Sequence, residues 1–367
     1  RKNTGNPFMI KLRLIGICIS FVLVISGCTG HEEEGLEPPA GTISLDFTKD
    51  SKIYTLAILD SQNEEPYKSA RINMLQTLAK YGLIQGKNLR VIYYDIKNDS
   101  YLAKEYLPQA VIQKPDVIFL NGTVISRTAY QMYLNAAGVK FVFACVSDPI
   151  GEKLINGFEI PPHNNFTGVS YPVAVKSRLQ FIKEVFPHVK KIALLHADMP
   201  QAHSYQKWVR ELVKNEPEFS DYQIIYRVVP LITGEGSQEK MARLMIPHIL
   251  ELNTSVDLFV AGNDQLGISE PFNRIVGKYA SKPFNPLTKE AVMKGWGGVA
   301  AIYPSSESMG IQSAYMIMKL FKNVELKKIP AEQPRLNGFA FNVNKAKKFG
   351  IKIPIKFMEL AGNNIIQ

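Results

Sequence analysis

The chain has 367 residues, of which 46% are hydrophobic and 21% are charged. This composition is typical of a well-packed globular protein and excludes a largely disordered or membrane-embedded one. The formal net charge is +10, but the basic residues are scattered along the chain. Nucleic-acid binding needs a concentrated basic patch, so the sequence predicts no nucleic-acid partner.

The first apolar run covers residues 14–25, which is twelve residues with Ser20 inside. A membrane-spanning helix needs about 20 apolar residues, so this run is too short to span. Lys11 and Arg13 precede the run, and the small residues Ser26 and Gly27 follow it. A positive region, a short apolar region and small residues together predict a signal peptide over residues 1–27.

The residues at the end of that run, Ile25-Ser26-Gly27-Cys28, resemble the bacterial lipobox. The resemblance implies cleavage before Cys28 and lipid attachment to its sulfur, and several acyl chains there would give stable anchoring. The alternative is an ordinary apolar cysteine inside a signal peptide. Residues 28–51 are acidic and contain proline and glycine, which predicts a tether between the lipid and the folded body. We therefore expect an exported chain that is anchored to a bacterial membrane.

The three cysteines do not predict a disulfide framework. Cys18 lies in the predicted signal peptide, and Cys28 is the predicted lipidation site. Cys145 lies alone in the strand-like run KFVFACVSDP, so we expect a buried, inert thiol.

From residue 52 onward, apolar runs of strand length alternate with segments of helical spacing. The strand-like runs are IYTLAILD, NLRVIYYDI, PDVIFLN and KFVFACV, and after NNFTGVSY the pattern restarts with KKIALLHA, YQIIYRVVPL and VDLFVAGND. Such alternation predicts parallel sheets that are covered by helices on both faces. The predicted fold class is α/β, with two doubly wound parallel-sheet units.

The usual catalytic signatures are missing from the sequence. It has no nucleophile elbow, no phosphate loop, no dinucleotide fingerprint, and no zinc or paired-cysteine motif. The six histidines show no metal-ligand spacing. We therefore predict no catalytic residue, no metal and no cofactor.

The loops that follow the predicted strands are polar. In open α/β sheets, ligands bind outside the carboxyl ends of the strands, on these loops and on the helices that start there. A helix N-terminus with hydroxyl groups suits a carboxylate, and Asp264 suits an ammonium group, so together they would suit a zwitterion between the two units. The alternative is that these residues are only caps and turns. The candidate ligand-binding residues are Ser61, Gln62, Thr123, Ser126, Ser147, Asp148, Ser204 and Asp264.

An ordered set of motifs over residues 52–356 resembles the bacterial ABC-transporter substrate-binding proteins of the tryptophan/tyrosine-binding type. The set includes KPDVIFLNGT, VSDPIG, NNFTGVS, FPHVKKIALLH, VDLFVAGND and SMGIQSAYMIMKLFKN. The resemblance implies a fold similar to type I periplasmic binding proteins, in which two lobes joined by three crossings close over a ligand by hinge motion. It also implies a small-molecule ligand and a membrane permease as partners, and we expect a monomer.

With three crossings near Ser170, Gly297 and Lys327, the resemblance implies the following lobes. The N-terminal lobe comprises residues 52–169 and 298–326, and the C-terminal lobe comprises residues 170–297 and 327–367.

The resemblance also implies roles for some of the candidate residues. Asp264 corresponds to the amine partner of the family. Thr123 and Ser126 match small hydroxyl residues at a helix start, where the ligand carboxylate would bind. Ser147 and Asp148 match the loop before Pro149, in which Asp148 has a turn role as its alternative. Ser204 lies where the family often has a small polar residue.

The sequence departs from the family pattern in three places. Glu64 and Glu65 lie where the family more often has a shorter polar sequence with histidine, and residues 262–265 and 303–308 also differ. These departures lie at the predicted pocket, so they leave open a ligand other than an aromatic amino acid. The two acids either favour a cationic amine or face water.

Three functions are compatible with the sequence. The first is a transport receptor without catalysis, which binds an amino acid or related amine for an ABC importer. The second is a sensory lipoprotein that signals to a membrane kinase or cyclase. The third is an exported enzyme, which would require a titratable pair with shifted pKa values.

Overall fold

The computed structural model describes residues 44–232, 234 and 236–367. The predicted signal peptide, the predicted lipidation site Cys28 and most of the predicted tether therefore lie outside the described residues. Within the described ranges, no helix combines the length and the apolar character that crossing a membrane requires.

The first sheet has five parallel strands in the order β2-β1-β3-β4-β5. They are β1 (Tyr54–Asp60), β2 (Leu89–Asp95), β3 (Val117–Asn121), β4 (Phe141–Val146) and β5 (Phe166–Ser170), and the helices between them are α1 (Tyr67–Lys80), α2 (Ser100–Ile112) and α3 (Thr123–Tyr133). Every residue of β3, β4 and β5 is buried, because helices cover both faces of the sheet.

The second sheet has four parallel strands in the order β7-β6-β8-β9. They are β6 (Lys191–Ala197), β7 (Gln223–Val229), β8 (Leu258–Ala261) and β9 (Phe284–Asn285). Its helices are α4 (Val175–Val185), α5 (Pro200–Asn215), α6 (Ser237–Leu244), α7 (Ile246–Leu252), α8 (Gln265–Ile268), α9 (Glu270–Tyr279) and α10 (Lys289–Met293), with a 3₁₀ turn at Pro217–Phe219. Pro247 lies in the first turn of α7, just after the break between α6 and α7, because a proline further inside a helix would remove a backbone hydrogen bond.

The late elements form a third, small sheet and three helices. Strand β10 (Ala300–Pro304) pairs antiparallel with β11 (Asn337–Asn342), which pairs parallel with β12 (Ile365–Ile366). The helices are α11 (Ser306–Phe321), α12 (Val343–Lys348) and α13 (Ile355–Ala361), and a 3₁₀ turn covers Leu326–Lys328. The predicted α/β class with parallel sheets is confirmed.

The late elements divide their contacts between the first sheet and the second. Residues 298–304 were predicted to belong to the first lobe, but Ile302 of β10 lies in one apolar cluster with Phe181, Phe341 and Phe357 beside the second sheet. Conversely, Ile329 lies in the core of the first sheet, and Glu332 forms a bridge with Val169 of β5. From these contacts we infer crossings after Pro304 and after Glu332, where the resemblance implies them near Gly297 and Lys327. The division into two lobes itself stays a prediction.

Helix α11 completes the core of the first sheet. Its residues Met309, Ile317 and Phe321 are buried in the same cluster as Phe47 and Tyr54. The Tyr54 and Phe321 rings stack at 4.6 Å between centroids. Cys145 is buried in this cluster, as predicted, and burial raises the pKa of its thiol well above the ordinary value.

Candidate functional site

The carboxyl ends of β1 and β3 meet at the start of α3. The Ser61 amide, just after β1, donates to the Asn121 carbonyl oxygen at 2.8 Å. Gly122 follows β3 with φ = 122°, and a Cβ atom at this position would lie 2.2 Å from Ser61 Oγ. The close approach and the positive φ both require glycine, so the N-terminus of α3 lies directly against Ser61.

Three buried polar atoms at this junction have no hydrogen-bond partner among the residues that the structure describes. They are Ser61 Oγ, Asn121 Oδ1 and Ser126 Oγ. Ser126 lies in the first turn of α3, and no side chain caps this helix. An unsatisfied buried polar group costs about 1–3 kcal/mol, and a helix N-terminus attracts negative charge. The two hydroxyls and the start of α3 can therefore donate to an anionic group, whereas Asn121 Oδ1 can only accept a hydrogen bond.

The other predicted residues on the first sheet lie around this junction. Thr123 Oγ1 accepts a long hydrogen bond of 3.4 Å from the Ser147 amide, which brings the loops after β3 and β4 together. Asp148 is buried, and its Oδ1 accepts from the Gly151 amide at 2.8 Å, so it has the turn role that was its alternative. Gln62 is half-buried beside Ser61.

Sequence reasoning missed a charged cluster next to Ser61. Asp60, the last residue of β1, forms an ion pair with Arg71 of α1, and its side chain is fully buried. Asn121 Nδ2 donates to Asp60 Oδ1 at 2.9 Å, and the Tyr93 hydroxyl donates to Asp60 Oδ2 at 3.4 Å. Burial raises the pKa of Asp60 to about 6, although these partners lower it in part. Since Asp60 is fully enclosed by its partners, we assign the cluster a structural role.

Two tyrosines flank the same junction. Tyr67 begins α1, and its Cε1 would lie 2.8 Å from a Cβ atom on Gly122. Tyr171 follows β5, and both rings pack against the core of the first sheet. Burial raises the pKa of Tyr67 to about 12 and also raises the pKa of Tyr171. Both rings are partly exposed, so they can contact a bound molecule.

On the second sheet, Asp264 follows β8 and caps α8. Its Oδ1 accepts from the Gly267 amide and its Oδ2 from the Ala197 amide, each at 2.7 Å. The side chain is buried, and burial raises its pKa to about 6 against the effect of these amides. Asp264 therefore ties the end of β6 to the end of β8. The neighbouring Asn263 Nδ2 is buried without a hydrogen-bond partner among the described residues.

The remaining predicted residue, Ser204, lies half-buried on α5. His196 is buried at the end of β6, and its Nε2 lies 3.1 Å from Oε1 of Gln206 on the same helix as Ser204. Burial lowers the pKa of His196, which favours its neutral form. Across the described ranges, no group of three or more His, Cys, Asp or Glu side chains could hold a metal ion.

Arg178 of α4 is a second buried charged group that sequence reasoning missed. It is 1% exposed and has no acidic partner among the described residues. Its guanidinium donates to the Ala261 carbonyl oxygen at 2.9 Å and to Asn285 Oδ1 at 3.2 Å. It also donates to the Asn285 carbonyl oxygen at 3.3 Å and to the Tyr205 hydroxyl at 3.4 Å. Neutral oxygens thus solvate this buried cation at the carboxyl ends of β8 and β9.

Comparison with known proteins places these features in a family context. Residues 64–365 match the family model described as ABC transporter substrate binding protein. The chain is 21% identical over 333 residues to a tyrosine-binding protein from Clostridioides difficile, and the match covers 88% of each chain.

Two solved structures are similar over 86% of this chain. One is a domain from Streptococcus pneumoniae in complex with L-Trp, with 18% identity, a TM-score of 0.65 and complete coverage of that chain. The other is a ligand-free, open substrate binding protein with adhesive properties from Clostridium difficile, with 18% identity, a TM-score of 0.68 and 98% coverage. At this level of identity, the two structures support the fold alone.

Proposed function

The chain belongs to the ABC transporter substrate-binding protein family, and from this premise we propose that it is an extracytoplasmic solute-binding lipoprotein of an ABC importer. In this proposal, Cys28 carries the lipid, and the receptor delivers its ligand to a membrane permease without catalysing a reaction. The short apolar run before Cys28 and the acidic segment after it support the anchor and the tether.

The proposed ligand is an amino acid or a related amine, and the uncapped N-terminus of α3 carries this proposal. The ligand carboxylate would bind there, next to Thr123 and the unpartnered hydroxyls of Ser61 and Ser126. Asp264 is the proposed amine partner, because each carboxylate oxygen that accepts one amide hydrogen bond keeps a second lone pair.

The partly exposed side chains of Tyr67 and Tyr171 favour a ligand with an aromatic side chain, since aromatic pairs add about 0.5–1.5 kcal/mol beyond area burial. The two acids that depart from the family pattern, Glu64 and Glu65, are exposed. Their exposure supports the alternative in which they face water. The names of two similar proteins, which bind tyrosine and tryptophan, point to the same ligand class.

The test is isothermal titration and thermal unfolding of the full chain with L-Trp, L-Tyr and simple amines. We expect an aromatic amino acid to bind, and Ser126→Ala to weaken binding by at least tenfold, with little loss of stability because the hydroxyl has no partner.

The matched control is Thr128→Ala on the same helix. Its Oγ1 donates to the Val124 carbonyl oxygen at 2.9 Å, so this change should lower the melting temperature and leave affinity unchanged. Unaltered binding by Ser126→Ala would refute the carboxylate site. Failure of every amino acid and amine to bind would refute the proposed ligand class.

A further inference from the structure

The three segments that cross between the two sheets are joined by polar contacts. The first segment follows β5 at Ser170, the second is Ser305 between β10 and α11, and the third is residues 333–336 before β11. The Ser305 amide donates to the Leu336 carbonyl oxygen at 3.3 Å, which links the second segment to the third. The Ser170 amide donates to the carbonyl oxygen of Glu332, the residue just before the third segment, at 3.0 Å.

The side chain of Gln312 on α11 is the centre of these contacts. Its Oε1 accepts from Ser308 Oγ and from the Arg335 amide, each at 2.9 Å. Its Nε2 donates to Glu332 Oε2 at 2.6 Å and to the Gln333 carbonyl oxygen at 3.1 Å. All four hydrogen-bonding positions of the amide are therefore occupied.

Two further contacts close this group around the third segment. The Leu336 amide donates to Ser308 Oγ at 3.3 Å, and Arg335 forms an ion pair with Glu332 at 2.9 Å. We call Ser308, Gln312, Glu332 and Arg335 the crossing clasp.

The hydrogen bonds of the clasp are costly to break because the side chains at its centre are buried. Gln312 is 1% exposed and Ser308 is fully buried. In a low-dielectric environment, a satisfied polar network is rigid, and each buried group left unsatisfied costs about 1–3 kcal/mol. Any rotation that moved residues 333–335 away from α11 would remove one of the two partners at each end of the Gln312 amide.

We propose that Gln312 is a positioning residue that fixes the third crossing against α11, so that bending between the sheets is confined to the second-sheet side of the clasp. Consequently, the ligand-free protein occupies a narrow range of opening angles. This inference rests on the two-lobe closure in the proposed function, but it concerns the unliganded state and needs no knowledge of the ligand.

The experiment measures a distance distribution by double electron–electron resonance on the ligand-free full chain. Spin labels are attached through a noncanonical amino acid at the exposed positions Lys68 on α1 and Lys207 on α5, which leaves the native cysteines unchanged. We expect one narrow distribution in the parent chain. In Gln312→Leu, which removes the hydrogen bonds but fills the same space, the width should increase at least twofold.

Ser313→Ala is the matched control, because Ser313 is the next residue of α11 and its buried hydroxyl has no partner among the described residues. This variant should keep the parent width. Ser308→Ala provides a smaller disruption of the clasp, with an intermediate width, should Gln312→Leu fail to fold. A parent-like width in folded Gln312→Leu, or in Ser308→Ala in its place, would overturn the proposal. If the parent chain binds no amino acid, the proposed function is contradicted, but the comparison of the distance distributions is unaffected.

Discussion

The two sheets bury charge at their strand ends in opposite ways. On the first sheet, the Asp60 carboxylate is paired directly with the Arg71 guanidinium. On the second sheet, Asp264 is held by backbone amides and Arg178 by neutral oxygens, and neither has an oppositely charged partner among the described residues. On the first sheet the two charges neutralise each other, whereas on the second sheet neutral groups solvate each charge separately.

This difference separates two functions of a buried charge. A paired charge depends chiefly on its counter-ion, and removing one partner of a buried pair costs about 3–5 kcal/mol. A charge that is solvated by backbone groups instead holds those groups in place. Asp264 fixes the loop after β8 to the end of β6, and Arg178 fixes the last carbonyl of β8. The loops of the second sheet are thus organised by the charges themselves.

The largest effect is expected for Arg71→Met. At pH 8 this change leaves Asp60 ionised and buried without a counter-ion, so the free energy of unfolding should fall by about 3–5 kcal/mol. The pKa of Asp60 is already raised to about 6, and loss of Arg71 removes one of the groups that lower it. At pH 5 the carboxyl of the variant is therefore protonated, and the destabilisation should be less than half as large.

Urea unfolding of both chains at the two pH values measures this difference. Arg243→Met is the control, because Arg243 is an exposed partner of Glu239 one turn away, and such pairs contribute about 0.3–0.5 kcal/mol. An equal loss of stability at pH 5 and pH 8 in Arg71→Met would show that the ion pair is not its cause.

A smaller effect is expected for Arg178→Met. The change leaves the Ala261 and Asn285 oxygens buried without these donors, which should lower the free energy of unfolding by about 2–3 kcal/mol. Because no carboxylate pairs with Arg178, the loss should be the same at pH 5 and pH 8. A clear pH dependence in urea unfolding would instead reveal a hidden acidic partner and remove the contrast between the sheets.

The smallest effect is the pH dependence that Asp264 contributes. Its pKa is raised from 3.8 in the unfolded chain to about 6 in the folded protein, so it favours folding at low pH and loses that contribution as the pH rises through 6. Relative to Asp264→Asn, the parent chain should lose about 2 kcal/mol of stability between pH 4.5 and 7.5. Parallel stability profiles of the two chains in urea unfolding would contradict this expectation.

Much of the fold could be predicted because strands and helices have characteristic local patterns of apolar residues. Runs such as PDVIFLN are continuously apolar, and the one over residues 117–121 forms the buried strand β3. The crossings are harder to predict, because local sequence pattern does not say which sheet a late element joins. β10 reads as an ordinary apolar strand, and the packing of Ile302 with Phe181 and Phe357 places it beside the second sheet.

The candidate site could be predicted in part for the same reason. Thr123 and Ser126 follow a strand and open a helix, and this position is readable from the sequence. Arg178 is not readable in this way, because an arginine in an amphipathic helix is usually exposed and only the packing of α4 buries it. The partnership of Asp60 with Arg71 likewise depends on how α1 lies against β1.

The position of α11 has a consequence for the order of folding. The core of the first sheet includes Phe47 near the start of the described chain and Phe321 near its end. During synthesis, strands β1 to β5 are therefore complete long before the helix that covers them exists. The core beside the second sheet is likewise incomplete until Phe341 and Phe357 have been synthesised. Within the described residues, no single cut gives two segments that each contain a whole core, so the two cores cannot be completed by separate halves of the chain.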